Sequence, residues 1–274
     1  MAEKVLIIGC GWLGQQLAPV LAAAGYQVFG SRRTQAAAEA LPAPLQGIAL
    51  DFQSPWSAAQ LALFQDAWLI CTIPPGARQG GESDYPQVLQ QLAQLAQAAG
   101  IKGGIHISST GIYQGLSGVV NERSELQLTQ PRVALLAAGE QALQQQDNWL
   151  TLRLSGLMGP GRHPGRFVQG RVLSGAMQPV NMVHSADVAA AVLQILSRWP
   201  LPHACYNLSS PQRVTKTEFY QAAAKSLGQV ADSIDLSGPA TEPARQVSSS
   251  AFCQDSGFAF RFADARAALA YCPD

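Results

Sequence analysis

The chain has 274 residues, 47% of them apolar, enough to bury the core of one large domain or of a domain with a smaller lobe. Charged residues make up 13%, and 18 Lys and Arg balance 18 Asp and Glu, so no net field steers the chain onto nucleic acid or a membrane surface. Five cysteines, far apart and odd in number, argue against a disulfide framework or a zinc site, and the four histidines show no metal-ligand spacing.

Residues 5–8 form a short apolar run, the length of a buried strand. Gly9, Gly11 and Gly14 follow in the spacing G-x-G-x-x-G. Leu13, Leu17, Val20, Leu21 and Ala24 recur at helical spacing, and Gly25 is placed to end that helix. Residues 26–29 read as a second strand. Strand, glycine turn, helix and strand in close succession are the context that a dinucleotide-binding motif requires. Gly9 allows the tight turn, Gly11 lets the backbone approach a pyrophosphate, and Gly14 lets helix and strand pack closely. The first helical turn, with Trp12 and Leu13, offers free N–H groups and positive dipole character to phosphates. The same segment, from Lys4 to the alanines at 22–24, also has the outline of a signal peptide. Gln15 and Gln16 interrupt its apolar run, and cleavage near Gly25 would remove the first strand. The secretory reading is therefore rejected, and with no transmembrane run left the expected location is the cytoplasm.

The second strand leads into Ser31, Arg32 and Arg33. An acidic residue there would bind the ribose 2′-hydroxyl of NAD; a hydroxyl and two guanidiniums suit a 2′-phosphate and favour NADP over NAD. Residues 48–51 read as a third strand ending in Asp51, which either reaches the adenine or caps the next turn. Residues 67–72 form a fully apolar fourth strand. It leads through Thr72 into Pro74 and Pro75, a loop expected at the carboxyl end of the sheet beside the cofactor. Residues 77–84 read as a mobile loop, and residues 86–99 as a helix ended by Gly100. Residues 104–108 are a fifth strand, running into Ser108, Ser109, Thr110 and Tyr113. Hydroxyls at the carboxyl end of a strand are where α/β sites place chemistry. His106, inside that strand, reads as a core histidine. A helix over 131–146 and a sixth strand over 149–154 complete a doubly wound parallel sheet of Rossmann type. From Gly159 the composition changes. Residues 179–184 and 205–208 are strand-like, 185–196 and 216–227 helical, and 229–250 loop-rich. This divides the chain into a cofactor-binding domain over 1–158, also receiving about 180–208, and a small C-terminal substrate lobe mainly from 159–274.

With these residues in view the chain resembles an extended or atypical short-chain dehydrogenase/reductase of the NAD-dependent epimerase/dehydratase group. Within that group it is most similar to the small bacterial YeeZ-type proteins. The resemblance runs nearly end to end. It rests on Gly9-Cys10-Gly11-Trp12-Leu13-Gly14, Ser108-Ser109-Thr110-Gly111-Ile112-Tyr113, Arg153-Leu154-Ser155-Gly156, Gly159-Pro160-Gly161-Arg162, the stretch from Val180 to Val188, and Tyr206-Asn207-Leu208. It implies an active site between Rossmann domain and lobe, with Ser109 as the catalytic Ser/Thr. It further implies nicotinamide contacts from the loop of Leu154, Ser155 and Gly156, and a substrate contact from Asn181. It also implies pairing as a homodimer through the helices at 86–99 and 131–146, whose few charges suit an interface.

One departure bears on the activity. Active members carry Tyr-x-x-x-Lys on the helix after the fifth strand, with a Glu four residues beyond the Lys. Anchored on Glu140, the Lys position is Leu136 and the Tyr position is Arg132. Arg132 stays protonated and is a poor general acid or base, and Leu136 has no donor. The residues between Tyr113 and Tyr206 include no Tyr or Lys, so a shifted alignment does not restore the pair. Two functions stay open. One is an oxidoreductase or epimerase with a rebuilt acid/base set, Ser109 with Tyr113 or His184. The other is a non-catalytic NADP-binding redox sensor or regulator. The loop after the sixth strand gathers Arg162, His163, Arg166 and Arg171. Arginine forks suit phosphate or carboxylate, so the expected small-molecule substrate is anionic or nucleotide-linked, held by Arg162 and Arg166 with His163.

Overall fold

Lys4–Ile8 (β1) alternates its side chains between two cores. Val5 and Ile7 pack beneath one layer of helices, and Leu6 and Ile8 beneath the other. A strand buried on both faces needs apolar residues throughout, which is why the run shows no polar alternation. The same holds for Trp68–Cys71 (β4), whose four residues are all buried. The computed structural model describes residues 2–52, 54, 56–76, 83–230 and 234–273. The expected mobile loop at 77–84 lies outside them except for Ser83 and Asp84.

In chain order, β1 leads into α1 (Trp12–Ala23), β2 (Gln27–Arg32), α2 (Gln35–Glu39), β3 (Gln46–Ala49) and α3 (Ala58–Phe64). After β4 come α4 (Tyr85–Ala99), β5 (Gly103–Ser109), β6 (Gly118–Val120), α5 (Pro131–Gln144) and β7 (Trp149–Leu154). The chain then forms β8 (Gly156–Met158), α6 (Pro164–Phe167), β9 (Val172–Ser174), β10 (Met182–His184), α7 (Ser185–Ser197) and β11 (Cys205–Leu208). It ends with α8 (Lys216–Ser226), β12 (Asp235–Gly238), β13 (Arg245–Val247) and α9 (Ser250–Ser256). Gly100 ends α4 in the left-handed conformation at φ 67°, and a Ser57–Gln60 capping box starts α3.

Seven parallel strands form one sheet in the order β11-β7-β5-β4-β1-β2-β3. The order reverses between β1 and β4, the switch point where open α/β sheets bind ligands at the carboxyl ends of the strands. This is the expected doubly wound α/β fold. α1 and α7 pack together on one face, and α4 and α5 on the other. Residues 182–208 thus return to the main sheet through α7 and β11. The remaining C-terminal segments build their own core around Phe219, Phe262 and Leu269.

Several boundaries differ from expectation. β2 runs on through Ser31 and Arg32, which are strand residues rather than turn residues. β3 ends at Ala49, so Asp51 lies beyond it. The loop-rich segment at 229–250 contains β12 and β13, which pair with β9 and β6. Both partners are distant in sequence, and strands of three or four residues carry too little pattern to be read alone.

Candidate functional site

The glycine turn is held from both sides. Gly9 adopts φ 76° and donates its N–H to Ser31 Oγ at 2.9 Å, while its carbonyl accepts from Thr72 Oγ1 at 2.9 Å. Gly14 sits where a Cβ would come within 2.8 Å of Cys10 Sγ and 2.9 Å of Ile7 Cγ2, so its hydrogen is what lets α1 lie on β1. At Gly11 a Cβ would meet nothing nearer than the Gly9 carbonyl at 3.8 Å. That space opens in front of the first turn of α1, which has no side-chain cap. Free N–H groups facing open space suit a pyrophosphate.

β2 directs Ser31 and Arg32 to opposite sides. Ser31 turns its hydroxyl inward onto Gly9 instead of out toward a ribose, which corrects the expected 2′-phosphate contact. Arg32 is half-buried, and its Nε finds no hydrogen-bond partner among the described residues. Arg33 is exposed, as is Asp51, which accepts from Ser54 Oγ at 3.3 Å as the cap of its own turn.

Beside this turn opens a cleft of about 860 Å³. Leu13, Thr72 and Pro74 border it on one side, Ser108, Ser109 and Thr110 at its floor, and Leu154, Ser155 and Gly156 along the edge of β7. Val180 and Asn181 close it from the lobe. Ser109 Oγ accepts from the Gly111 N–H at 3.1 Å, so its own proton is left to donate to a ligand. The Asn181 amide is occupied: it donates to the Arg245 carbonyl at 3.0 Å and accepts from the Val247 N–H at 2.8 Å.

A family model described as NAD(P)H-binding matches residues 9–198. Protein YeeZ of Escherichia coli (strain K12) is 34% identical across 96% of this chain and 97% of its own length. The chain belongs to the NAD(P)H-binding family. Among solved structures, a putative NAD-dependent epimerase/dehydratase from Methylobacillus flagellatus superposes with a TM-score of 0.76 at 23% identity, covering 96% of this chain and 95% of that one. UDP-glucuronic acid 4-epimerase from Bacillus cereus, in complex with UDP-glucuronic acid and NAD, superposes with a TM-score of 0.75 at 19% identity, covering 98% of both chains. These two share the fold.

Within this NAD(P)H-binding frame, α5 carries Arg132 and Leu136 on the face that lines the cleft. The structure therefore presents to the cleft the two side chains expected at the Tyr and Lys positions. The expected partners of Ser109 are not brought to it. Tyr113 is fully buried; its hydroxyl donates to Asn207 Oδ1 at 2.8 Å and accepts from an Arg153 guanidinium nitrogen at 2.7 Å. Burial pushes its pKa up to about 12. His184 caps α7: Nδ1 accepts from the Ala186 N–H at 3.1 Å, and Nε2 bonds the Tyr271 carbonyl at 3.0 Å. Burial lowers its pKa. Behind the floor, Glu140 accepts from Ser108 Oγ at 2.6 Å and pairs with Arg153 at 2.7 Å, both nearly buried. Burial opposes the charge of Arg153, and Glu140 overcomes it and raises the pKa.

The arginine loop divides. Arg162 lines the cleft, stacked at 5.4 Å on both Trp12 and Phe167, with Nε donating to the Leu157 carbonyl at 3.0 Å. Trp12 is tied to the same loop through the Pro160 carbonyl at 2.8 Å. His163 turns inward, capping α6 through the Gly165 N–H at 3.1 Å and bonding Ser226 Oγ at 3.0 Å. Arg166 is exposed on α6, away from the lining residues. Sequence reasoning missed Tyr85, Lys216 and Arg245, which also line the cleft. Arg245 reaches it because β13 pairs with β6, a pairing with no local signal.

Proposed function

We propose that this protein is an NADP-dependent oxidoreductase or epimerase acting on a small anionic or nucleotide-linked substrate. Residues 1–158 with about 180–208 would hold the cofactor, and the rest of 159–274 would cover the substrate. The observation that carries the cofactor choice is Arg32. A buried donor without an acceptor costs about 1–3 kcal/mol, and a 2′-phosphate on the end of β2 would supply the acceptor that Nε lacks. NADPH would supply a hydride from its nicotinamide. Gly11 and the first turn of α1 would take the pyrophosphate, Ser109 would donate a hydrogen bond to the substrate, and the cations that line the cleft, Arg162 among them, would hold its anionic part. The nucleotide-linked carboxylate in the Bacillus cereus structure supports this substrate class. The unpaired thiols among the described residues support a cytoplasmic place.

A second reading is favoured by one observation. The cleft face of α5 presents Arg132 and Leu136, so a non-catalytic NADP sensor needs nothing further from the site. Turnover of a carbonyl or nucleotide-sugar substrate separates the two. Calorimetric titration tests the cofactor. NADP should bind more tightly than NAD by about 1–3 kcal/mol, roughly five- to 150-fold, the range for charge-assisted bonds. Arg32→Asp should abolish the preference. Equal affinity of the wild type for both cofactors would overturn it.

A further inference from the structure

Arg132, Arg162, Lys216 and Arg245 all line the cleft, and Glu242 is the acidic residue among its described walls. In a chain whose basic and acidic residues balance at 18 each, that is a local excess of positive charge. Arg162 is engaged at the cofactor end by Trp12. The other three come from separate elements: Arg132 from the first turn of α5, Lys216 from the first residue of α8, and Arg245 from the first residue of β13. A cation in the first turn of a helix opposes the helix dipole, and α5 and α8 both accept that cost at the cleft.

The three cations form two groups. Arg132 lies by the floor: a Cβ on Gly111 would be 3.1 Å from Arg132 Nε and 3.2 Å from Ser109 Oγ, so guanidinium and hydroxyl flank one point. Lys216 and Arg245 lie together on the lobe side. Burial lowers the pKa of Lys216, and the charge of Arg245 lowers it further. Burial also lowers the pKa of Arg245, with Glu242 partly opposing. Lys216 Nζ donates to the Ser174 carbonyl at 2.8 Å and to Gln178 Oε1 at 3.1 Å, both neutral acceptors. Among the described residues no carboxylate forms an ion pair with Arg132, Lys216 or Arg245.

We propose that the cleft is built for a small molecule with two anionic groups, one held by Arg132 and Ser109 at the floor and the other by Lys216 and Arg245 at the lobe. This deepens the anionic-substrate reading above and rests on it. Arg132 thereby fixes an anion at the place where the resembled enzymes move a proton. Once one end of such a ligand is held, the second contact is intramolecular, so a dianion of the right length gains more than its extra charge.

The test is calorimetric titration at constant ionic strength, with and without NADP. The probes are acetate, the dicarboxylates from malonate to adipate, inorganic phosphate and 3-phosphoglycerate. At least one dianion should bind about tenfold or more tighter than the monoanion of its kind. The dicarboxylate and phosphate arms show which anion each end takes. Arg132→Gln and the pair Lys216→Gln/Arg245→Gln should each reduce that dianion to monoanion affinity, while the exposed Lys225→Ala changes nothing. Arg132→Lys, which keeps the charge, should retain part of the preference and guards against a misfolded glutamine variant. Dianions that bind no better than monoanions, or a preference that survives in Arg132→Gln, overturn the proposal. Failure of NADP to bind would sink the cofactor reading alone, because the cofactor-free titration still reads the anion site.

Discussion

A methyl group at Gly11 and one at Gly14 should do opposite things, although both glycines belong to one motif. At Gly14 the added carbon meets Cys10 Sγ and Ile7 Cγ2 inside van der Waals contact. Overpacking of this kind costs about 1–3 kcal/mol, so Gly14→Ala should lower the melting temperature. At Gly11 the carbon enters open space. Gly11→Ala should melt as the wild type does and lose NADP affinity, because its methyl occupies the proposed pyrophosphate seat. Thermal melts and cofactor titrations on the two variants check both halves; a destabilised Gly11→Ala would contradict the open cradle. A second residue sets a pH limit. His106 is fully buried, bonded to the Tyr85 hydroxyl at 2.8 Å, with no partner for Nδ1 among the described residues. Burial pushes its pKa down to about 4 from 6.5. Below pH 6.5 the unfolded chain takes up a proton that the fold refuses until about pH 4. Its contribution is therefore complete above pH 6.5 and lost progressively as pH falls toward 4. At about 1.4 kcal/mol per pKa unit the loss approaches roughly 3 kcal/mol. His106→Gln should flatten the stability profile in that window. A parallel fall in wild type and variant would show that another group is responsible.

At the level of elements, α4 and α5 show an uncharged outer face. Gln87, Gln90, Gln91 and Gln94 are exposed on α4, and Ala138, Gln141 and Gln144 on α5. Depletion of charge is the compositional mark of an interface core, and the two helices pack side by side as one surface. The proposed homodimer should scatter light as twice 29.0 kDa at tens of micromolar. Gln90→Glu with Gln94→Glu should convert it to monomer without changing cofactor affinity. A wild-type monomer would end the idea. The elements also show what the sequence could disclose. β1 and β4 were legible because burial on both faces demands unbroken apolar runs, and the glycine turn because its spacing follows from close approach. β6, β9, β12 and β13 were not, since each is three or four residues long and is defined by a distant partner. The site follows the same division. Ser109 and Arg162 line the cleft, within or just after predicted strand ends. Tyr113 and His184 looked reactive by type and position, but their polar atoms are taken by Arg153, Asn207, Ala186 and Tyr271. Nothing local in the sequence marks a hydroxyl or imidazole as already engaged.

Across the whole molecule, the sheet and the C-terminal segments meet at the cleft through a few side chains that clamp backbone. Asn207 on β11 donates to the Ser248 carbonyl at 3.1 Å, and Ser249 Oγ accepts from the Ser209 N–H at 2.8 Å. Asn181 is the clamp nearest the cations. Its own carbonyl receives the Gly156 N–H at 3.0 Å, and its side chain holds β13 at both the Arg245 carbonyl and the Val247 N–H. One residue thus ties the start of β8 to the strand that carries Arg245. Removing the amide leaves two backbone groups of β13 without these partners, at about 1–3 kcal/mol for each that stays dry. For a chain of this size each kcal/mol is worth about 2–4 °C in melting temperature. Asn181→Ala should therefore melt several degrees lower. It should also release Arg245 from its fixed place, so the preference for a dianion over a monoanion should fall toward unity. The glycine turn and Arg32 lie on β1, α1 and β2, which Asn181 does not touch, so NADP affinity should hold. Asn181→Asp keeps the acceptor for Val247 and loses the donor to Arg245, and should fall between. If Asn181 instead contacts the substrate directly, Asn181→Ala should lose anion affinity with no change in melting temperature, and that result would overturn the clamp.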